Sequence, residues 1–295
     1  MKNQTIVCVS PTAWSGLWKN RQQIMSRLAR HNRVIFIEPG WNFERSYRAE
    51  LRQNWRYFWV VRAIPAGDQL TLVSSPPTLP YFASKLPRAL LQRTAPLTMQ
   101  VNAWLMRRHL RRVLDTLGVD DFILWLYEPR YGPLVGRLGE KLACYYVYDE
   151  VADYAGNQKI RALIQRSDEA LCRTADVVFA SSSVQYQRRA AWNQRTYYVP
   201  NGVDFEHFRR ALAPATPVPA DVASLPRPVI GFVGRLSYFI DFDLLREVAF
   251  AYPDGSLVLV GPDDSGGRTA VLRDVPNVHL LGRRDLDELP GYLKA

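Results

Sequence analysis

The sequence has few cysteines, few histidines and no long hydrophobic run. Its three cysteines, Cys8, Cys144 and Cys172, are odd in number and lack CxxC spacing, which argues against a disulfide framework and predicts buried free thiols. His109 falls in a basic segment and is predicted to be solvated rather than catalytic. No stretch approaches the roughly 20 apolar residues of a spanning helix, and the first apolar run is too short for a signal peptide. We therefore expect a cytoplasmic protein.

Acidic residues are also in the minority, at 28 against 38 Lys and Arg, which leaves a net charge of +10. Such an excess favours an anionic partner, which is a nucleic acid, an anionic membrane surface or an anionic small molecule. No nucleic-acid recognition motif is present, so we expect no nucleic-acid partner.

Basic residues cluster in segment 101–117, where Arg107, Arg108, Arg111 and Arg112 crowd one side of a predicted helix and apolar residues recur on the other. The helix is either a core-facing helix with a solvated arginine face or a contact with an anionic membrane. Aromatic residues interleave with further basic residues upstream, a mixture suited to a lipid headgroup interface. These aromatic residues are Trp55, Tyr57, Phe58, Trp59, Tyr81 and Phe82.

Strand-like and helix-like segments alternate along the chain, which predicts an α/β protein with parallel sheets. At 295 residues, 47% of them hydrophobic, the chain is long enough for two cores. We predict a first domain over 1–208, a Pro- and Ala-rich linker over 209–227, and a second domain over 228–295. The predicted strands are 5–9, 33–37, 70–73, 122–126, 144–148, 177–180, 229–233, 257–260 and 278–281, and the predicted helices include 21–30, 101–117 and 243–251.

The junction between the domains carries the most informative local pattern. Tyr197 to Val199 favour a strand, Pro200 cannot donate to a ladder, and Asn201-Gly202 is a strong turn pair. After the linker, the run from Val229 ends in Gly231-Phe232-Val233-Gly234, where small residues allow a ligand to approach the backbone at the carboxyl end of a strand. A phosphate group suits that position.

Several segments, in their order and spacing, resemble the GT-B fold glycosyltransferases, in particular the nucleotide-sugar-dependent retaining group of teichuronic-acid and exopolysaccharide biosynthesis. The matching segments are Trp14 with 21–23, then 33–39, 148–154, 175–182, 199–204, 231–243, 258–262 and 277–283. The resemblance implies two Rossmann-like domains with parallel sheets, the second incomplete. It also implies transfer of a sugar, of hexosyltransferase type, from a nucleotide-sugar donor to a saccharide or lipid-linked acceptor in surface-polysaccharide biosynthesis.

The resemblance assigns donor-binding residues to three strand ends of the second domain. Arg235, next to Gly234, would meet the donor diphosphate and stabilise the leaving group as negative charge develops. The Gly261-Pro262 and Gly282-Arg283 pairs resemble base- and ribose-facing loops, although plain turns are equally compatible with them. Ile240 stands where the family often has a lysine.

In the first domain the resemblance points to a cleft at two loops. Trp14, Ser15 and Gly16 follow the first strand, although Trp14 is equally compatible with simple packing. A second group, Asp149, Glu150 and Asp153, would bind sugar hydroxyls or a metal, and the alternative is a helix cap. We expect no cofactor and no metal, with the nucleotide-diphosphate sugar as substrate, and no residue is assigned as a catalytic base.

The family's second domain continues past the position of Tyr292 with a glutamate pair that this sequence lacks. We therefore expect a truncated chain that is inactive alone, or a partner chain that completes the sheet. One alternative function is a non-catalytic subunit that binds a membrane, at its inner face, or a partner enzyme. Another is a dinucleotide-dependent oxidoreductase, which is disfavoured because no GxGxxG follows a predicted strand.

Overall fold

The computed structural model describes residues 1–15, 18–40, 52, 54–79, 88–155 and 157–295, and of residues 88–94 it describes the backbone alone. The chain divides into two units, Met1–Asn201 and Gly202–Ala295.

The first unit is built on an eight-stranded sheet with the order β3-β4-β2-β1-β5-β6-β7-β8. Its strands are β1 (Thr5–Val9), β2 (Arg33–Ile37), β3 (Ala63–Pro65), β4 (Leu70–Val73), β5 (Ile123–Leu126), β6 (Leu142–Val147), β7 (Val177–Ala180) and β8 (Thr196–Tyr198). Neighbouring strands are parallel except for β3, which pairs with β4 in the antiparallel direction. The predicted α/β fold with a parallel sheet is confirmed.

Helices cover both faces of this sheet, and those among the described residues are α1 (Asn20–Leu28), α2 (Arg88–Leu117), α3 (Gln158–Thr174) and α4 (Ser183–Ala190). Successive residues of a strand point to opposite faces, so β1 contributes to two cores. Val7 packs in the cluster that contains Leu110 of α2, whereas Cys8 packs in the cluster that contains Met25 of α1. Helix α2 begins 13 residues before the predicted start at 101, and it includes Pro96.

All three cysteines are buried free thiols, as predicted. Burial raises the pKa of the Cys144 thiol to about 12, so this side chain is protonated at neutral pH. The thiols behave as small apolar core groups.

The prediction that His109 is solvated is wrong, because its side chain is only 1% exposed. It lies on the same face of α2 as Met106, Leu110 and Val113, at the spacing of a buried helical stripe. Burial lowers the pKa of His109 to about 4, and the nearby charge of Arg112 acts in the same direction. The imidazole is therefore neutral at physiological pH and is a packing residue.

The second unit contains a parallel sheet of β9 (Val229–Val233), β10 (Ser256–Val260) and β11 (Val278–Gly282), with β10 in the centre. Its helices are α5 (Phe205–Phe208), α6 (Ala220–Ala223), α7 (Phe242–Ala251) and α8 (Leu289–Lys294). Phe242 and Ala249 of α7 pack with Leu257 and Leu259 on one face of β10.

The segment 209–227, predicted to be an extended connector, is part of the second unit. Val222 of α6 is 1% exposed and packs with Val258 and Val260 on the other face of β10. Lys294 donates to the carbonyl oxygens of Ala213, Pro214 and Thr216 at 3.0, 2.8 and 2.7 Å. The Pro- and Ala-rich composition concealed this role, because a few valines and a leucine are enough to cover the apolar face of a small sheet.

Candidate functional site

The predicted donor-binding residues lie at one edge of the second sheet. The Gly234 N–H donates to the Val260 carbonyl at 2.9 Å, and the Gly261 N–H donates to the Gly282 carbonyl at 2.9 Å. The carboxyl ends of β9, β10 and β11 are therefore joined edge to edge. The structure brings together Gly234, Arg235, Gly261, Pro262, Gly282 and Arg283.

Gly261 must be a glycine where these strand ends meet. Its φ is +150°, a backbone conformation that residues with a Cβ rarely adopt. A Cβ at this position would lie 1.7 Å from the carbonyl oxygen of Gly234. The close approach of the two backbones sets the position of the residue that follows Gly234, which is Arg235.

Arg235 is held in place by an acidic residue from the neighbouring loop. The Leu236 N–H donates to the Pro262 carbonyl at 3.0 Å, and the Asp264 N–H donates to the Leu236 carbonyl at 2.7 Å, so the two loops run side by side. The Arg235 Nε donates to Asp264 Oδ2 at 2.5 Å, with both side chains about half exposed. No described residue accepts from the two terminal guanidinium nitrogens, which can therefore fork onto phosphate oxygens.

A pocket of about 400 Å³ lies in the same unit, around the segment that follows Arg235. It is lined by Tyr238, Phe239, Ile240, Asp241, Phe242, Asp243, Arg268 and Val271. Arg268 donates to the Tyr238 carbonyl at 2.9 Å and places a cation at the pocket that Ile240 also lines. Sequence reasoning missed Arg268, because it begins a short 3-10 helix, Arg268–Leu272, that no sequence motif marks.

In the first predicted cleft loop, the Trp14 side chain packs against other aromatic rings. The Trp14 ring lies 4.9 Å from the Phe36 ring and 5.4 Å from the Trp18 ring, centroid to centroid, in edge-on contacts. The Trp14 N–H donates to Glu38 Oε1 at 3.0 Å. Ser15 is exposed, and Gly16 lies outside the described residues.

The predicted acidic trio is divided among different roles. Asp149 lines a pocket, and it accepts from the Glu150 N–H at 2.9 Å and from the Tyr154 hydroxyl. Asp153 forms an exposed ion pair with Arg161. None of the three side chains caps a helix, because the 3-10 helix Val151–Tyr154 has no side-chain cap.

Glu150 belongs to a largely buried network of ion pairs and hydrogen bonds that the sequence did not predict. Arg189, whose side chain is 2% exposed, donates to both carboxylate oxygens of Glu150 at 3.1 and 3.2 Å and to Asp168 Oδ2 at 2.7 Å. The Tyr145 hydroxyl donates to Asp168 Oδ1 at 2.7 Å. Burial raises the pKa of Asp168, and Arg189 opposes that shift. The network joins β6, α3 and α4 through ion pairs and hydrogen bonds, which indicates a structural role, and the Arg189 Nε is its one buried nitrogen without a partner among the described residues.

The four arginines proposed to contact a membrane differ in their surroundings. Arg112 donates to the Phe58 carbonyl at 2.6 Å, and Arg111 donates to the Arg137 carbonyl at 3.1 Å, so both support the fold. Arg108 is exposed and Arg107 is partly exposed. Among the described helices, none is both long and apolar enough to cross a membrane. No cluster of three or more His, Cys, Asp or Glu side chains suited to a metal ion occurs in the described ranges.

A second pocket, of about 470 Å³, opens at the carboxyl ends of β1, β5, β6 and β8 in the first unit. Its lining consists of Pro11, Thr12, Lys19, Asn20, Arg21, Glu128, Tyr148, Asp149, Tyr154 and Asn201. The pocket lies at the carboxyl ends of β1 and β5, between which the order of the strands changes direction. Open α/β sheets bind ligands at such a position.

Comparison with known proteins agrees with this architecture. The catalytic domain of starch synthase IV from Arabidopsis thaliana, bound to ADP and acarbose, aligns with 100% of this chain and 77% of its own at a TM-score of 0.57 and 11% identity. The trehalose-6-phosphate structure from E. coli bound with UDP-2-fluoro glucose aligns with 97% of this chain and 75% of its own, with a TM-score of 0.61 and 16% identity. A trehalose-phosphate synthase from Burkholderia xenovorans, in complex with glucose-6-phosphate, aligns with 99% of this chain and 76% of its own, with a TM-score of 0.62 and 14% identity.

The chain has the GT-B fold. No protein-family model matches the sequence. A curated relative, the putative teichuronic acid biosynthesis glycosyltransferase TuaH of Bacillus subtilis (strain 168), is 27% identical over 140 residues, which are 45% of this chain and 35% of that protein. The match thus spans about a third of that relative's length. The resemblance to GT-B glycosyltransferases is confirmed by sequence over part of the chain and by fold over nearly all of it.

Proposed function

We propose that this chain transfers a sugar, in a retaining reaction of hexosyltransferase type, from a nucleotide-sugar donor to a saccharide or lipid-linked acceptor in surface-polysaccharide biosynthesis. The observation that carries the proposal is Arg235, held by Asp264 at the joined strand ends of the second sheet with its terminal nitrogens available. The name of the Bacillus relative and the UDP-2-fluoro glucose and ADP in two related structures support it.

The chemistry assigned to Arg235 is electrostatic. The bond between the sugar C1 and the phosphate oxygen breaks, and its electron pair stays with the nucleoside diphosphate. An acceptor hydroxyl oxygen bonds to C1, and its proton passes to the departing diphosphate. The guanidinium stabilises the charge that develops on the departing diphosphate. Arg268 supplies a second cation to the same unit in place of the lysine that the family often has.

Replacement of Arg235 tests this role. We expect Arg235→Ala to weaken nucleoside-diphosphate binding by about 10- to 100-fold, because a charge-assisted hydrogen bond contributes about 1.5–3 kcal/mol. Asp264→Asn should cause a smaller loss, since it removes the group that orients the guanidinium and leaves the charge. Calorimetric titration of the full chain measures both effects.

The matched control is Arg246→Ala, which removes an exposed arginine of α7 that lies over the Phe250 ring. This change should leave diphosphate affinity within a factor of about two, since exposed charges at a distance are screened by salt. Unchanged affinity in Arg235→Ala would remove Arg235 from the donor site.

A membrane-binding role, with or without catalysis, is favoured by a separate observation. Trp55 and Trp59 are 55% and 62% exposed, and their rings contact each other edge-on at 5.8 Å. Arg56 stands between them in the chain, and this combination of exposed indoles and a cation suits the headgroup region of an anionic bilayer. We propose that this patch places the chain on the inner face of the membrane.

Vesicle co-sedimentation tests the membrane proposal. The double variant Trp55→Ala/Trp59→Ala should lose most binding to anionic vesicles, whereas Tyr238→Ala/Phe239→Ala, which removes two exposed aromatics of the second unit, should retain it. Vesicle binding without any nucleotide binding would favour the non-catalytic subunit. Equal binding of the two double variants would eliminate the tryptophan patch.

A further inference from the structure

Arg21 is a buried cation at the 470 Å³ pocket of the first unit. It lies in the first turn of α1 and is 2% exposed, although it lines the open pocket. The centre of its guanidinium lies 4.3 Å from the Tyr148 ring centroid and 5.5 Å from that of Tyr127. Aromatic rings of this kind stabilise a cation through their faces and leave its in-plane N–H groups for hydrogen bonds.

The charge of Arg21 is not neutralised within the described residues. Its single hydrogen bond goes from Nη1 to Thr12 Oγ1 at 3.1 Å, and its Nε is buried without a partner. A guanidinium carries five N–H donors, and buried charges are normally paired with a carboxylate. No described carboxylate lies within ion-pair distance of Arg21.

The two carboxylates that line the same pocket have other partners. Glu128 forms an ion pair with Arg130 at 2.5 Å. Asp149 accepts from the Glu150 N–H and from the Tyr154 hydroxyl. Because these carboxylates are held elsewhere, the donors of Arg21 are left for a ligand that enters the pocket.

We infer that Arg21 binds an anionic group, a phosphate or a carboxylate, on the acceptor substrate. The assignment of this group to an acceptor rests on the proposed glycosyl transfer, whereas the anion site itself rests on Arg21 and its pocket. A pocket of about 470 Å³ lies within the range of small-molecule sites and accommodates a sugar. The buried Asn20 Oδ1, which also has no partner among the described residues, is an acceptor for a sugar hydroxyl at the same wall.

The inference gives Arg21 a role in selectivity. A neutral sugar entering the pocket would leave the guanidinium unpaired, whereas an anionic sugar satisfies the fork of the arginine with two parallel hydrogen bonds. Sites built around a buried polar group discriminate strongly against ligands that cannot pair with it. Arg21 therefore selects charged acceptors over neutral ones.

The test is calorimetric titration of the full chain at low ionic strength with four probes: inorganic phosphate, glucose 6-phosphate, glucuronate and glucose. We expect at least one anionic sugar to bind and glucose not to bind. Comparison of glucose 6-phosphate with glucuronate identifies the preferred anion. If no anion binds, or if glucose binds as tightly as its charged derivatives, the inference is overturned.

Variants at Arg21 locate the site. Arg21→Met keeps much of the side-chain volume and should weaken anion binding by about tenfold or more, because it removes the fork and the charge. The melting temperature of the ligand-free variant should be unchanged or higher, since an uncompensated buried charge is removed. Arg27→Met, on the exposed side of the same helix, should bind like the wild type. Anion binding that persists in Arg21→Met would refute the site.

Arg21→Lys provides a second variant should Arg21→Met fail to fold. It keeps the charge and loses the fork, so anion affinity should fall in that variant too, and wild-type affinity in it would contradict the inference. Titration of each variant with a nucleoside diphosphate separates the two proposals. Anion binding without diphosphate binding would support the Arg21 site and contradict the glycosyltransferase function. Diphosphate binding without anion binding would support the donor site and overturn the Arg21 inference.

Discussion

Arg189→Met is expected to destabilise the first unit by about 3–5 kcal/mol, which is the cost of removing one partner from a buried ion pair. The change leaves Asp168, whose side chain is 6% exposed, facing Glu150 without a cation between them. The loss should become smaller as the pH falls, because protonation of Asp168 removes the uncompensated charge from the variant. Urea unfolding followed by circular dichroism measures the difference.

The chain supplies a matched control in the preceding residue. Arg188 forms an ion pair with the same Glu150 at 3.1 Å, but its side chain is 48% exposed. Arg188→Met should therefore cost less than about 1 kcal/mol, as exposed ion pairs do. Similar losses in the two variants would show that burial does not determine how much each ion pair contributes to the free energy of unfolding. The double variant Asp168→Asn/Arg189→Met should recover part of the loss, since it removes the second charge as well.

Gly261→Ala is expected to destabilise the second unit by about 2–4 kcal/mol, through overpacking and through strain at a positive φ. The new Cβ would lie 1.7 Å from the Gly234 carbonyl oxygen, so the ends of β9 and β10 must move apart. Because Arg235 follows Gly234, the same change should also weaken nucleoside-diphosphate binding. Thermal unfolding and calorimetric titration of the variant measure the two effects.

Gly231→Ala is the control, since it lies in the same strand, β9, and a Cβ there has no atom within 4 Å. That variant should change stability by less than about 1 kcal/mol, because alanine removes glycine's excess freedom in the unfolded chain without a clash. Wild-type stability in Gly261→Ala would contradict the close approach of the two strand ends.

The strands were the most predictable part of the fold. β1, β2, β4, β7 and β9 have the predicted bounds, because strands of parallel sheets read as near-continuous apolar runs. Helix α2 was predicted from its amphipathic half alone, and its first half was missed because Pro96 and a weaker pattern interrupt the signal. The role of 209–227 was missed because covering a small sheet requires few apolar side chains.

The residues of the donor edge were predictable for a topological reason. Parallel strands end at the same edge of a sheet, so Gly234, Gly261 and Gly282 had to lie together if 229–233, 257–260 and 278–281 were neighbouring strands. Partners between side chains were not predictable in this way. Asp264 reaches Arg235 across 29 residues, and this pairing depends on the path of the loops rather than on a local pattern.

The burial of two arginines was not predictable from the sequence either. Arg21 and Arg189 are each 2% exposed or less, yet arginine in an amphipathic helix ordinarily indicates a solvated face. Their sequence surroundings do not distinguish Arg21 from the exposed Arg27 of the same helix. Only the assembled pocket shows that Arg21 has no counter-ion among the described residues.

Calorimetric titration of the 295-residue chain with uridine, guanosine and thymidine diphosphates tests the claim that the second unit carries a nucleotide-sugar donor site. We predict micromolar binding of one of them, with one site per chain and with affinity that depends on Arg235. Absence of binding for all three, in a preparation whose circular dichroism shows a folded α/β protein, would contradict the claim.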